Sequence, residues 1–305
     1  MKVFYYPGGM DKEPKPSAVA VGVFDGFHSG HKKILGCLLN LSRKKRLRPV
    51  VVTFFPHPDN VLSGRKKALM LCSLKHRLRL FSDAGISLCV VLKFDRVMAE
   101  MPCDVFIKQV LIDGIGMRSL VAGEGFCLGK ERSGSNDGLK EIAARLGFGL
   151  RIVSPKRHKK RIISSSIIRR LIERGDIKQA AKLLNRPVSV LGTVIHGRKK
   201  GRKIGFRTAN IDPHHEVIPP RGVYAAYTVI GTKTYKSVVN IGQRPTFDGK
   251  EANVETHIFG LRRNIYGKDI EICFIKKLRP EIKFKDQALL GLQIKKDILR
   301  AKGVL

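Results

Sequence analysis

A chain of 305 residues is long enough for two hydrophobic cores, and its 43% hydrophobic content supports packed structure and excludes general disorder. No apolar run approaches the ~18 residues of a membrane helix, and the start, Met1-Lys2-Val3-Phe4-Tyr5-Tyr6-Pro7, has no signal-peptide core, so a cytoplasmic chain with no membrane partner is expected. Lysine and arginine number 59 against 25 acidic residues, an excess of 34 that attracts polyanions, but no helix-turn-helix, RNP-type strand or zinc-finger spacing accompanies it. Nucleic acid is therefore expected only through non-specific charge.

The first ~185 residues alternate strand and helix patterns, the mark of a parallel sheet covered by helices. Val19–Phe24 is a short β-branched run with the look of a buried strand, broken by Asp25-Gly26, and a helix is predicted from Gly30. Strands follow at Pro49–Phe54, Leu88–Phe94, Arg118–Ala122 and Leu150–Val153. Helices are predicted from Ser73 to Ala84, Asp104 to Ile112 and Asn136 to Leu146. A further helix pair, Ser166–Arg174 and Ile177–Leu184, ends at Asn185-Arg186-Pro187, where a domain boundary is placed. Beyond it the period changes from 3.6 to 2. Val188–Ile195, Val223–Ile230, Lys236–Ile241, Ala252–Phe259 and Asp269–Lys276 read as strands of an antiparallel barrel, with a terminal helix over Ala288–Leu299. The six cysteines, at 37, 72, 89, 103, 127 and 273, form no Cys-x-x-Cys pair and read as core residues in a reducing compartment, not as zinc ligands.

The first site candidate is the turn Gly22-Val23-Phe24-Asp25-Gly26-Phe27-His28-Ser29-Gly30-His31. A strand entering a helix through such a turn leaves backbone N–H groups at the sheet's carboxyl end, where anions bind. His28, His31 and the helix start are expected to share the charge of a triphosphate, with Gly30 leaving room for phosphate against the backbone. Ligands are expected to gather at that end, which also carries His57 and the loop Gly123–Gly129. Downstream, Ser164, Ser165 and Ser166 precede an apolar-periodic segment in which Arg169 offers a fork for phosphate.

The second candidate is Gly197 followed by Gly201, Lys203 and Gly205, a loop suited to surrounding phosphates although it is not a P-loop. Thr208 and Asn210 alternate on an extended segment, so their oxygens are expected to point the same way and to hold Mg²⁺.

These motifs carry a resemblance. Gly22-x-Phe24-Asp25-Gly26-x-His28-x-Gly30-His31 is similar to the signature of the His-x-Gly-His nucleotidyltransferases. Over about residues 18–299 the chain resembles the bacterial bifunctional riboflavin kinase/FAD synthetases, through Ser237–Phe247, Val254–Ile258, Tyr266-Gly267-Lys268 and Leu278–Phe284. The resemblance implies a Rossmann-like α/β nucleotidyltransferase domain over residues 1–186 and an antiparallel β-barrel riboflavin kinase domain over 187–305, with a C-terminal helix. It implies riboflavin, FMN and ATP as small-molecule substrates and Mg²⁺ as cofactor. Glu255 becomes the catalytic base of the kinase, and His28 and His31 the catalytic residues of adenylyl transfer. Gly22, Phe24, Asp25, Gly26, Gly30, Ser164, Ser165 and Arg169 become nucleotide-binding residues of the first domain. Gly123, Phe126, Asn240, Arg279 and Phe284 become flavin-binding residues.

Ser166 stands where the family has threonine, a mild change that keeps the hydroxyl, and three further positions depart from the family pattern. Arg207 stands where the family has proline before the metal-binding threonine, Gly125 where it has aspartate, and Leu128 where it has phenylalanine. A weakened kinase, a weakened adenylyltransferase, or a basic nucleic-acid-binding protein on an inactive scaffold therefore stay open as alternatives at this point. So does the oligomeric state.

Overall fold

The computed structural model describes all residues except 7–13, 63–68, 127–134, 198–204, 247–248 and 283, and the side chains of 243–252 are left aside. The chain divides into two compact units, Met1–Ala68 with Leu74–Ser164, and Leu69–Ser73 with Ser165–Leu305. The helix pair placed before the expected boundary at 186/187 thus falls with the second unit.

The first unit is a six-stranded parallel sheet in the order β1-β4-β3-β2-β5-β6. Its strands are β1 (Lys2–Tyr6), β2 (Ser17–Val21), β3 (Arg48–Phe55), β4 (Leu88–Lys93), β5 (Met117–Gly123) and β6 (Gly149–Val153). Period-2 burial explains the packing. Val19, Val21, Val50, Val52, Val90 and Leu120 point into one core with Phe106, Ile107, Val110 and Leu111 of a π-helix, Phe106–Gly114. Helix α1 (Ser29–Lys45) lies against β2, β3 and β5 with Leu35 and Leu38 buried, and Arg43, Lys44 and Lys45 in its last turn suit the helix dipole. Helices α2 (Pro58–Leu62), α3 (Leu74–Asp83), α4 (Arg96–Glu100), α5 (Cys103–Val105, running into the π-helix) and α6 (Asn136–Leu146) complete the unit, with a small β7–β8 hairpin, Arg157–His158 and Arg161–Ile162.

From β2 the chain builds outward through β3 and β4, then returns to place β5 on the other side of β2. The strand order reverses between β2 and β5, and a ligand crevice opens at such a switch point. β2 is shorter than expected. It ends at Val21 because Phe24 takes left-handed backbone angles (φ 54°) that no strand continues.

The second unit opens with α7 (Ser165–Glu173) and α8 (Ile177–Leu184). A closed antiparallel barrel follows, β10-β13-β12-β11-β14-β9. Its strands are β9 (Val188–Ile195), β10 (Ala209–Asp212), β11 (Gly222–Ile230), β12 (Lys233–Thr246), β13 (Gly249–Ile258) and β14 (Asp269–Arg279). Ile211, Val239, Val254, Thr256, Ile270 and Ile272 are buried in the strands. Helix α9 (Gln287–Lys302) packs its fully buried Ala301 on Val223, Ala225 and Val238. It is tied to β14 by Arg279, whose Nε and Nη2 donate to the buried Asp297 carboxylate at 2.8–3.0 Å.

Candidate active sites

In the first unit, the turn after β2 is tightly wound. Phe24 and Phe27 are left-handed non-glycine residues (φ 54° and 43°), and Gly26 between them has φ 76°. Such angles cost free energy and persist only where packing imposes them. Asp25, Gly26 and Phe27 form a buried 3₁₀ turn, and the ring of Phe81 on α3 meets both Phe24 and Phe27 edge-to-face at 5.7 Å.

His28 then caps α1. Its Nδ1 accepts from the backbone N–H of Gly30 (3.1 Å) and His31 (3.4 Å). Its ring stacks on His31 with centroids 3.6 Å apart, and Phe24 meets His31 edge-on at 5.3 Å. The stack dictates the glycine: a Cβ on Gly30 would lie 3.0 Å from His28 Cε1. The room at Gly30 is thus taken up by the histidine ring itself.

Burial pushes the His28 pKa down to about 4. Burial first, then His28 and the Arg77 guanidinium, holds His31 well below the ordinary range. Both imidazoles are neutral near pH 7, so they offer hydrogen bonds to a phosphate, not the positive charge expected from the sequence. The buried Nδ1 of His31 has no hydrogen-bond partner among the described residues.

Across the switch point, β5 runs into Gly123-Glu124-Gly125-Phe126. Gly123 packs toward Ile34 of α1, and half-buried Phe126 packs against the sheet core. Gly125 is left-handed (φ 76°) with open space where a side chain would go, and Glu124 is exposed. Leu128 lies outside the described residues. His57 follows β3, its Nδ1 accepting from the N–H of Asp59 at 3.0 Å. Gly22 follows β2 beside the Phe24 ring, and Ser164 is half-buried at the end of the unit.

In the second unit, Ser165 opens α7, with Arg169 one turn along the helix. The barrel brings together three residues that are far apart in sequence. Glu255 on β13 is directly opposite Asn210 on β10 and Asn240 on β12. Residues in register share a sheet face, so Asn210, Glu255 and Asn240 form one polar row. Oε1 of Glu255 accepts from Asn253 Nδ2 at 2.7 Å, which fixes the carboxylate. The amide of Asn210 is buried against Gly197, where a Cβ would fall 2.0 Å from Nδ2.

In the same unit a cavity of about 340 Å³ is lined by Val194, Arg207, Thr208, Ala209, Thr256 and Tyr266, among others; Asn210, Glu255 and Asn240 are not part of its lining. Thr208 precedes β10 and Asn210 lies within it. The hydroxyl, amide and carboxylate oxygens of Thr208, Asn210 and Glu255 are hard donors of the kind magnesium takes, and the packed amide of Asn210 fits a fixed ligand. Arg207 is exposed and reaches the Arg262 carbonyl (3.4 Å). Gly205 is exposed with φ 84°, whereas Gly201 and Lys203 lie outside the described residues. Arg279 spends its guanidinium on Asp297 and the Pro280 carbonyl and sits 5.9 Å from the half-buried Phe284 ring.

Two residues of these sites escaped sequence reasoning. Arg77 and Asn253 belong to no motif, and only the fold shows that one lies beneath the histidines and the other orients Glu255.

Family models match both halves of the chain, FAD synthetase over residues 10–167 and riboflavin kinase over residues 184–305. The bifunctional riboflavin kinase/FMN adenylyltransferase of Haemophilus influenzae is 36% identical over 290 residues, 94% of this chain and 93% of that protein. This chain belongs to that family. The Bacillus subtilis protein of the same description is 35% identical over 293 residues, covering 94% of this chain and 92% of its own length. A solved structure from Streptococcus pneumoniae, described as a macrolide-efflux protein, superposes with a TM-score of 0.84 at 29% identity over 98% of both chains. The family fold, an α/β domain followed by a closed barrel and a terminal helix, is the fold observed. Among the described residues no helix is long and apolar enough to cross a membrane.

Proposed function

We propose that the chain makes flavin cofactors in two ATP-dependent steps, phosphorylating riboflavin to FMN and adenylylating FMN to FAD. The observation that carries this is the pinned Glu255 carboxylate between Asn210 and Asn240, in a chain whose family match spans both catalytic domains.

In the kinase step the ribityl 5′-hydroxyl of riboflavin attacks the γ-phosphorus of ATP. An O–P bond forms, the bond to the β,γ-bridging oxygen breaks, and ADP leaves. Glu255 accepts the hydroxyl proton as general base, and the hydrogen bond from Asn253 holds it in place for this. Thr208 and Asn210 would hold Mg²⁺, which would supply charge neutralisation at the phosphates, and Gly197, Gly201, Lys203 and Gly205 belong to the nucleotide loop. Asn240, Arg279 and Phe284 belong to the flavin side.

In the adenylyl step a phosphate oxygen of FMN attacks the α-phosphorus of ATP and pyrophosphate leaves. No protein nucleophile is needed, so positioning and electrostatics do the catalysis. Neutral His28 and His31 and the Gly22–Gly26 turn address the phosphates. Ser164, Ser165 and Arg169 supply further hydroxyl and guanidinium groups, and Gly123 and Phe126 border the flavin. Residues 1–186 and 187–305 are the proposed extents of the two catalytic domains. The cytoplasm is the proposed compartment, in keeping with cysteines 37, 72, 89, 103 and 273 forming no disulfide among the described residues.

Incubation of the purified chain with Mg-ATP and riboflavin, followed by separation of the flavins, tests the reading. FMN and FAD are expected in sequence, and absence of both ends the proposal. FMN without FAD points to the Gly125 loop, and FAD formed only from supplied FMN points to Arg207.

A further inference from the structure

Arg77 belongs to none of the motifs above, yet it is among the largest fully buried side chains of the molecule, 1% exposed. Burying a guanidinium is costly unless its N–H groups find acceptors. Nη1 donates to the Val23 carbonyl (2.5 Å) and to Thr53 Oγ1 (2.9 Å), and Nη2 donates to the Phe54 carbonyl (3.3 Å). Thr53 Oγ1 in turn donates to the same Val23 carbonyl at 3.2 Å. One planar fork therefore ties the outgoing ends of β2 and β3 together immediately before the left-handed Phe24.

Four residues along α3, Phe81 packs on Phe24 and Phe27. The strained turn is thus held from beneath by two side chains of a single helix. The titratable and charged groups that face His31 are its stacked neighbour His28, from the helix start, and Arg77, from α3. Phe24 supplies only a ring edge.

We propose that Arg77 is a positioning residue for adenylyl transfer, fixing the His-x-Gly-His turn by its three acceptors and placing a buried positive charge beneath His31. This rests on the adenylyltransferase reading above. The charge adds to burial in disfavouring protonation of His31 and raises the potential where phosphate charge moves, without itself touching the nucleotide. Lysine keeps the charge but cannot reach three acceptors in one plane.

The test uses Arg77→Lys and Arg77→Met in the full-length chain, with adenylylation of supplied FMN as the readout and riboflavin phosphorylation in the same preparation as the internal control. For Arg77→Lys, kcat for FAD formation is expected to fall about tenfold with an unchanged pH profile. For Arg77→Met, it is expected to fall about a hundredfold, with the acid side of its pH profile moved to higher pH than in wild type and Arg77→Lys. Phosphorylation is expected to stay within about twofold in both. A slow Arg77→Met enzyme with the wild-type pH profile overturns the electrostatic role and leaves a structural one. If Arg77→Met loses the thermal transition of the first unit, Arg77→Lys decides, and undiminished FAD formation by it overturns the proposal. A wild-type chain that forms FMN but never FAD removes the underlying reading. Normal FAD formation by wild type and both variants removes this inference alone.

Discussion

Glu255 earns its role from its neighbours. A carboxylate in register with two asparagines and anchored by a third is oriented before substrate arrives. Glu255→Gln keeps the shape and removes the proton acceptor, so FMN formation is expected to fall by about 10²–10⁴-fold, with FAD formation from supplied FMN unchanged. Equal loss of both activities would contradict the assignment. Gly125 tests the other flavin loop. Its left-handed backbone is one that aspartate tolerates, and open space surrounds it. Gly125→Asp restores the family carboxylate and is expected to cost no more than about 1 kcal/mol, while lowering the KM for FMN in adenylylation. A higher KM would show that the loop has been rebuilt around glycine.

At the scale of elements, the turn and α1 share a liability to acid. The His28 pKa is about 4 in the folded chain and 6.5 ordinarily. As pH falls through that window the unfolded chain takes up a proton that the folded chain refuses, so stability falls. The loss at His28 is of order 3 kcal/mol, and His31, also depressed, adds to it. Thermal unfolding of the first unit is expected at lower temperature at pH 5 than at pH 7, and a constant midpoint would refute the buried, neutral stack.

Much of the architecture was legible in the sequence, because β2, β3, β4 and β5 are apolar runs and α6, α8 and β9 have clear limits. β1 and β10 were not. Lys2–Tyr6 is half polar, and Ala209–Asp212 hides behind a basic glycine loop and becomes a strand only when the barrel supplies partners on both sides. The histidine motif was legible as a motif but not as geometry. Nothing local announces that Phe24 turns left-handed or that the histidine rings stack. Arg77 was illegible for a plainer reason, since an arginine on an amphipathic helix reads as solvent-facing until the fold buries it.

Over the whole molecule, the excess of 34 positive charges far exceeds what two nucleotide sites require. Residues 29–48 and 147–172 contain no acidic residue at all, and Arg43, Lys44, Arg46, Arg151, Arg157 and Arg161 are exposed. The chain is therefore expected to bind immobilised heparin at about 0.1 M salt and to elute as ionic strength rises. Passage straight through the column would mean that the charge is dispersed too evenly to act as a field.

The cap formed by His28 decides what that ring can do. Because Nδ1 is occupied by two backbone N–H groups, the ring's single proton resides on Nε2, and the residue can give a hydrogen bond but has no lone pair left to abstract one. His28→Asn keeps a capping oxygen and should preserve the melting temperature while FAD formation drops, whereas His28→Ala should forfeit both. The first histidine is thereby bound to a one-way chemistry by the very helix it begins.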